Sequence, residues 1–133
     1  MSEHRITYVT APIEVAEQIA TTLVEDGLVV CVNIIEQVRT IYKWEGSVEK
    51  SYESLLIIKT SADKTDELID KVREIHPYEV PEVISFDITA GNQDYLDWLS
   101  GKEIVVDEAS LDDDDEEEDE EEDEEEEKAE AAD

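Results

Sequence analysis

The stretch Ile75-His76-Pro77-Tyr78-Glu79-Val80-Pro81-Glu82 gathers a histidine, two glutamates, a tyrosine and two prolines in eight residues. An imidazole beside carboxylates can hold a transition metal or move a proton. The same residues can also make a stiff connector. Each proline fixes its own φ and pushes the residue before it out of the helical region. A histidine at a helix C-terminus can bind the last carbonyls, where the helix dipole favours it. The two prolines favour the connector reading.

His76 is the only histidine in the body of the chain; the other, His4, lies near the N-terminus. One imidazole cannot close a structural zinc site, which takes four protein ligands. A looser copper or zinc contact at His76 would have to draw on Glu79, Glu82 or Cys31. Cys31 is the sole cysteine, so neither an internal disulfide nor a cysteine-cluster zinc site can form. On an apolar strand its ordinary role is that of an inert small hydrophobe, with a metal role as the alternative. Lys59, at the end of an apolar run, is either a buried cation paired with a carboxylate or a surface lysine. The sequence has no GxGxxG, Walker loop, HExxH or CxxC. An acid/base site made of His76, Tyr78 and Glu79 would lack a nucleophile and a group to orient the base. The expectation is a protein that is not an enzyme.

The elements that must position these residues follow from periodicity. Ile6-Thr7-Tyr8-Val9-Thr10 is β-rich and ends at Ala11-Pro12, with Pro12 suited to the first turn of a helix. Val15, Ala16, Ile19, Ala20, Leu23 and Val24 then recur on one helical face, and Gly27 supplies the stop. Two β-rich pieces, 30–35 and 38–44, flank Glu36-Gln37, which marks a bulge or bend. Glu45-Gly46 reads as a hairpin turn, and the return strand ends in Leu55-Leu56-Ile57-Ile58. Ser61 and Asp63 are capping candidates for a helix with Leu68, Ile69, Val72 and Ile75 on its apolar stripe. A half-buried strand over 83–88 follows, then a short helix opened by Gly91-Asn92, and a possible edge strand over 103–106. The order is that of the split βαβ, ferredoxin-like α+β arrangement βαββαβ with a C-terminal helix. The hairpin arms, roughly 30–44 and 48–60, far exceed the usual strand of about 5–6 residues. Arms that long leave unpaired edges, so the expectation is that they pair with neighbouring subunits.

These stretches resemble a known family. Thr10-Ala11-Pro12, Cys31-Val32-Asn33, Ile41-Tyr42-Lys43-Trp44-Glu45-Gly46, Ile58-Lys59-Thr60, His76 to Glu82 and Gly91-Asn92 with Tyr95-Leu96-Asp97-Trp98-Leu99 look like the CutA1 divalent-ion tolerance proteins. The likeness is collinear over about residues 6–100. It implies a ferredoxin-like protomer and a tight homotrimer with hairpins paired between subunits, similar to the PII signalling proteins. It also implies a role in tolerance to divalent metals, copper especially, with no cofactor required. Copper ligands proposed for some members, a cysteine before the TAP motif and paired histidines before PY, fall here on Val9, Ile75 and His76; only His76 is retained. The alternative the resemblance offers is a signalling or scaffold module. Its clefts between subunits, lined by Tyr42, Trp44, Lys59, Tyr78 and Glu79, would take a small anion or a partner protein.

Charge divides the chain. Residues 107–133 hold 20 acids against one lysine, and sixteen of those acids are consecutive. Such a run cannot collapse, so a folded domain over 1–106 and a disordered acidic tail over 107–133 are expected. The remaining 106 residues hold 20 acids against nine lysines and arginines. A surface this acidic repels nucleic acid and anionic membrane and suits cations or basic partners. No apolar run approaches the roughly 20 residues of a spanning helix, and the N-terminus lacks a signal pattern, so a cytoplasmic protein is expected. The acid excess also fits a halophilic, salt-rich cytosol, where screening relieves self-repulsion. Unfolding in urea should therefore show higher stability in molar KCl than at low salt. Equal midpoints would remove the halophilic reading.

Overall fold

In the computed structural model the described residues are 3–101. The expected edge strand over 103–106 and the tail over 107–133 lie outside them. The elements run β1 (His4–Ala11), α1 (Ile13–Glu25), β2 (Cys31–Trp44), β3 (Ser47–Ser61), α2 (Thr65–Ile75), β4 (Val83–Asp87) and α3 (Gln93–Leu99), with a 3₁₀ turn at Ala62–Lys64 before α2. The strands stand in the order β2-β3-β1-β4, and every neighbouring pair is antiparallel. This is the expected α+β, ferredoxin-like order, with α3 added after β4.

Local chemistry sets the ends of the elements. Pro12 is the N-cap of α1 (φ −58°, ψ 140°), one position earlier than expected. At the other end the Gly27 N–H bonds to the Val24 carbonyl and the Leu28 N–H to the Leu23 carbonyl. That pair of bonds is a Schellman motif, and it requires the positive φ of 78° that Gly27 adopts. Ser61 precedes the 3₁₀ turn, but its hydroxyl donates to the Asp63 carboxylate and not to a backbone group; neither it nor Asp63 caps α2. The two-residue turn Glu45-Gly46 has positive φ at both positions, 51° and 84°. Those values suit a type I′ turn, whose twist matches that of the arms.

Both long helices cover one face of the sheet. Ala16, Ile19, Ala20 and Leu23 of α1 and Leu68 and Val72 of α2 pack on Val9, Ala11, Leu56 and Ile58. Val24 departs from the expected face and is exposed. In β4 the apolar residues are divided between the faces, and Val83 packs against the core. Ser85 lies under the helices and hydrogen-bonds to buried Thr7. Ile84 and Phe86 point to the uncovered face, where Phe86 meets Tyr8 edge-on at 5.1 Å. Among the described residues nothing covers Ile84 and Phe86 on that face.

The hairpin arms are 14 and 15 residues long. Their pairing shifts register between Ile35 and Val38, so Glu36-Gln37 is a bulge as expected. The Ser54 hydroxyl donates to the Glu36 carbonyl at 2.7 Å, which satisfies a group the ladder leaves over. Beyond the bulge Ile41, Tyr42, Trp44, Val48 and Tyr52 are all exposed.

Leu68 and Val24 both follow helical periodicity, yet only Leu68 is buried. Leu68→Ala should cost about 2–5 kcal/mol. Val24→Ala should change stability by no more than about 0.5 kcal/mol. Urea denaturation at matched protein concentration measures both.

Candidate functional site

His76 is the C-cap of α2. Its N–H still closes the last turn on the Val72 carbonyl, while its backbone is extended (φ −78°, ψ 138°), as the following Pro77 demands. That conformation swings the ring away from the helix. Nε2 donates to the Thr10 carbonyl at 2.8 Å, and Nδ1 accepts the Tyr78 N–H at 3.0 Å. The two bonds define a neutral imidazole with its proton on Nε2. Both nitrogens serve the backbone, so in this conformation the ring has no lone pair to give a metal. Among the described residues no group of three or more His, Cys, Asp or Glu side chains is placed to hold an ion. The ring clamps the connector to the end of β1 instead of binding the helix's own carbonyls.

The clamp aims the next residue. The Tyr78 ring lies 4.8 Å from that of His76, and its hydroxyl donates to Glu53 Oε2 at 2.8 Å. Glu53 is 5 % exposed, although it comes from the middle of the hairpin arm. Burial first, then the hydrogen bond and charge of Glu53, push the Tyr78 hydroxyl up from 10.0 to about 12. Beside this pair opens a cleft of about 410 Å³, lined by Tyr42, Trp44, Tyr78, Glu53, Glu79 and Glu82 among others. The Thr10 hydroxyl on its wall donates to Glu82 at 3.3 Å.

Of the five residues expected to line a cleft between subunits, Tyr42, Trp44, Tyr78 and Glu79 line this cleft within one chain, and Lys59 lies elsewhere. Lys59 pairs in register with Cys31 and Ile6, four residues along β1 from Thr10, or roughly 13 Å. There its ammonium lies 3.8 Å from Cys31 Sγ and hydrogen-bonds to Asn33 Oδ1. Cys31 is half-buried, and Tyr95 is its neighbour. Burial, followed by the interaction with Cys31, raises the Tyr95 pKa. Cys31 and His76 therefore stand at separate places on the sheet. Glu53 and Thr40 line the cleft although their types alone did not point to it. Their one signal in the sequence is strand phase: after the bulge they fall on the same face as Tyr42 and Trp44.

The fold and cleft define a small α+β protein with an aromatic and acidic site at the root of a long β-hairpin. The family described as CutA1 divalent ion tolerance protein matches residues 5–102, and the chain belongs to that family. It is 50% identical over 93 residues to the protein CutA homolog of Xenopus laevis, covering 69% of this chain and 62% of that one. It is 43% identical over 95 residues to the divalent-cation tolerance protein CutA of Thermus thermophilus, covering 71% and 92%. Against the human protein CutA, at 46% identity, it spans only 52% of the relative's length. Among solved structures, the Thermus thermophilus protein superposes with a TM-score of 0.72 at 41% identity, covering 74% of this chain and 97% of the other. The Oryza sativa CutA1 structure gives 0.72 at 40% identity, covering 74% and 91%. The Thermus thermophilus protein is named for tolerance of divalent cations. Among the described residues no helix is long and apolar enough to cross a membrane.

The folded pKa of Tyr78 lies above the unfolded value, so its stabilisation is complete below about pH 10. It is lost as the pH climbs towards 12. Absorbance titration at alkaline pH should show a late tyrosine step that Tyr78→Phe reduces. Stability of the wild type should also fall more steeply over that window than stability of the variant. Identical titration curves would break the link between Tyr78 and Glu53.

Proposed function

We propose that the chain acts as a non-catalytic homotrimer in the cytoplasmic response to divalent metal ions, copper among them. Its ligand-facing element is the cleft of Tyr42, Trp44 and Tyr78. The observation that carries this reading is the contrast between the two halves of the 75–82 connector. The imidazole of His76 has both nitrogens engaged by backbone groups. Tyr78 and Glu79, next to it, face an open cleft.

Assembly is supported by what the single chain leaves uncovered. Ile84 is 52 % and Phe86 43 % exposed on the open sheet face, and among the described residues β2 and β4 are the edge strands. Apolar sheet faces and long edges of this kind are ordinarily covered by another chain. The metal role is supported by the family to which the chain belongs. A copper ion bound directly at His76 would have to displace the Thr10 carbonyl or the Tyr78 N–H. At Cys31 it would meet the Lys59 ammonium. Neither place offers a ready donor set. Metal contact is therefore assigned to weak carboxylate binding, and the built site to a small ligand.

Light scattering on the full chain should give three times the chain mass. Copper calorimetry in excess magnesium, which saturates diffuse acid sites, should give the same isotherm for wild type and His76→Ala. That variant should lose about 1–3 kcal/mol of stability, because it strands a carbonyl and an N–H. A monomer, or a tight copper isotherm abolished by His76→Ala at unchanged stability, would sink this reading.

A further inference from the structure

Resting on the reading of the cleft as the ligand-facing element, we propose that its ligand is a small organic ammonium ion with an alkylated nitrogen. The lining sorts the possibilities by charge. Glu53, Glu79 and Glu82 contribute three carboxylates, and among the described residues no lysine, arginine or histidine lines the cleft. An anion brought there would face like charge with no compensating cation. The sign of this lining favours a cation over an anion in the cleft.

The hairpin sorts its charges by face. Side chains alternate along β2, so Arg39, Ile41 and Lys43 share one side while Thr40, Tyr42 and Trp44 share the other. Lys50, opposite Ile41, joins the basic side; Glu49, opposite Tyr42, joins the side of the cleft. The basic residues of the hairpin share their face with Tyr52 and are thus turned away from Tyr42 and Trp44. Trp44 stays 54 % exposed on the acidic side, at the end of its arm next to the turn.

Size and donor type select among cations. A cleft of about 410 Å³ is far too roomy for a bare divalent ion. Calcium or magnesium needs a close shell of oxygens at about 2.0–2.6 Å. The volume lies within the roughly 300–1,000 Å³ of small-molecule pockets. Aromatic faces beside carboxylates attract a poorly hydrated alkylammonium through the ring quadrupole and through charge. The Tyr78 hydroxyl is held by Glu53, which fixes that ring without a contribution from the ligand. Glu53 Oε2 accepts from the Tyr78 hydroxyl and Glu82 Oε1 from the Thr10 hydroxyl, which leaves Glu79 as the counter-charge.

The probes are choline and its neutral carbon isostere 3,3-dimethylbutanol, titrated into the full chain by calorimetry at fixed ionic strength. Choline should bind about tenfold or more tightly than the alcohol. Trp44→Ala should abolish the difference at unchanged net charge, which separates the cleft from diffuse binding to the acidic sequence. Glu79→Gln, nearly isosteric, should weaken choline severalfold and leave the alcohol unaffected; it remains informative should Trp44→Ala disturb the hairpin. Equal binding of choline and alcohol would overturn the ammonium assignment and leave the cleft as a ligand site. Binding of neither would overturn both. Choline binding that survives both substitutions would place the cation elsewhere and overturn the proposal.

Discussion

The register between β2 and β3 is the constraint on which the rest depends. Before the bulge the odd-numbered residues of β2, Cys31, Asn33 and Ile35, pair with Lys59, Ile57 and Leu55 on the open face. Glu36 and Gln37 together stand opposite one residue of β3. Beyond them the even-numbered residues, Thr40, Tyr42 and Trp44, take over that face. Because strand periodicity is two, a single extra residue exchanges the faces of everything after it. An unbulged arm would turn Arg39, Ile41 and Lys43 toward Tyr78 and Glu79, and the site would be basic. The hydrogen bond from Ser54 to the Glu36 carbonyl holds the shift in place. Two residues further along, Leu56 is buried against the helices. β3 thus joins the core to the site as one uninterrupted strand, and packing at Leu56 and Ile58 fixes where Glu53 stands.

The second fixed point is the α2–β4 connector. Thr10 lies one residue past Val9, which pairs with Val83 at the end of the β1–β4 ladder. Its carbonyl receives the His76 ring. A histidine in this role does work that any neutral donor and acceptor of the right shape could do. What suits it is reach: one side chain satisfies the Thr10 carbonyl and the Tyr78 N–H together, at either end of a short planar ring. The cost is chemical, since a ring so engaged cannot also coordinate an ion. His76 thus positions the neighbouring tyrosine, and whatever the site does passes through Tyr78 and the hairpin.

Much of this was legible in the residues themselves. Strand and helix order, the Glu36-Gln37 bulge, the Glu45-Gly46 turn and the Gly27 stop each follow from local chemistry, which tertiary packing had no reason to override. Four of the five cleft residues came from the family likeness, not from composition. Lys59 stands apart from them within one chain, since likeness gives strand membership without saying which end of the strand a cleft uses. Glu53 escaped notice because an acid inside a strand reads as solvated. Its burial depends on a tyrosine 25 positions away, and no periodicity carries that information. The alternation at Ile84 and Phe86 was legible, but which face of the sheet they take was not, since alternation alone does not say on which side the helices lie.

The charge of the chain bears on how a tolerance role is to be understood. With 40 acids among 133 residues and a net charge of −30, the molecule gathers cations of any kind as an atmosphere. Such an atmosphere is not selective, and salt screens it over about 8–10 Å. Diffuse binding of divalent ions is therefore a property of composition and carries no information about a site. Selectivity needs surfaces that distinguish one cation from another after charge has been accounted for. Along this chain the aromatic rings of Tyr42, Trp44 and Tyr78, set beside carboxylates and apart from the hairpin's own basic residues, are arranged to make that distinction. They favour a cation that sheds its water easily over one that does not, and divalent metals are among the most reluctant.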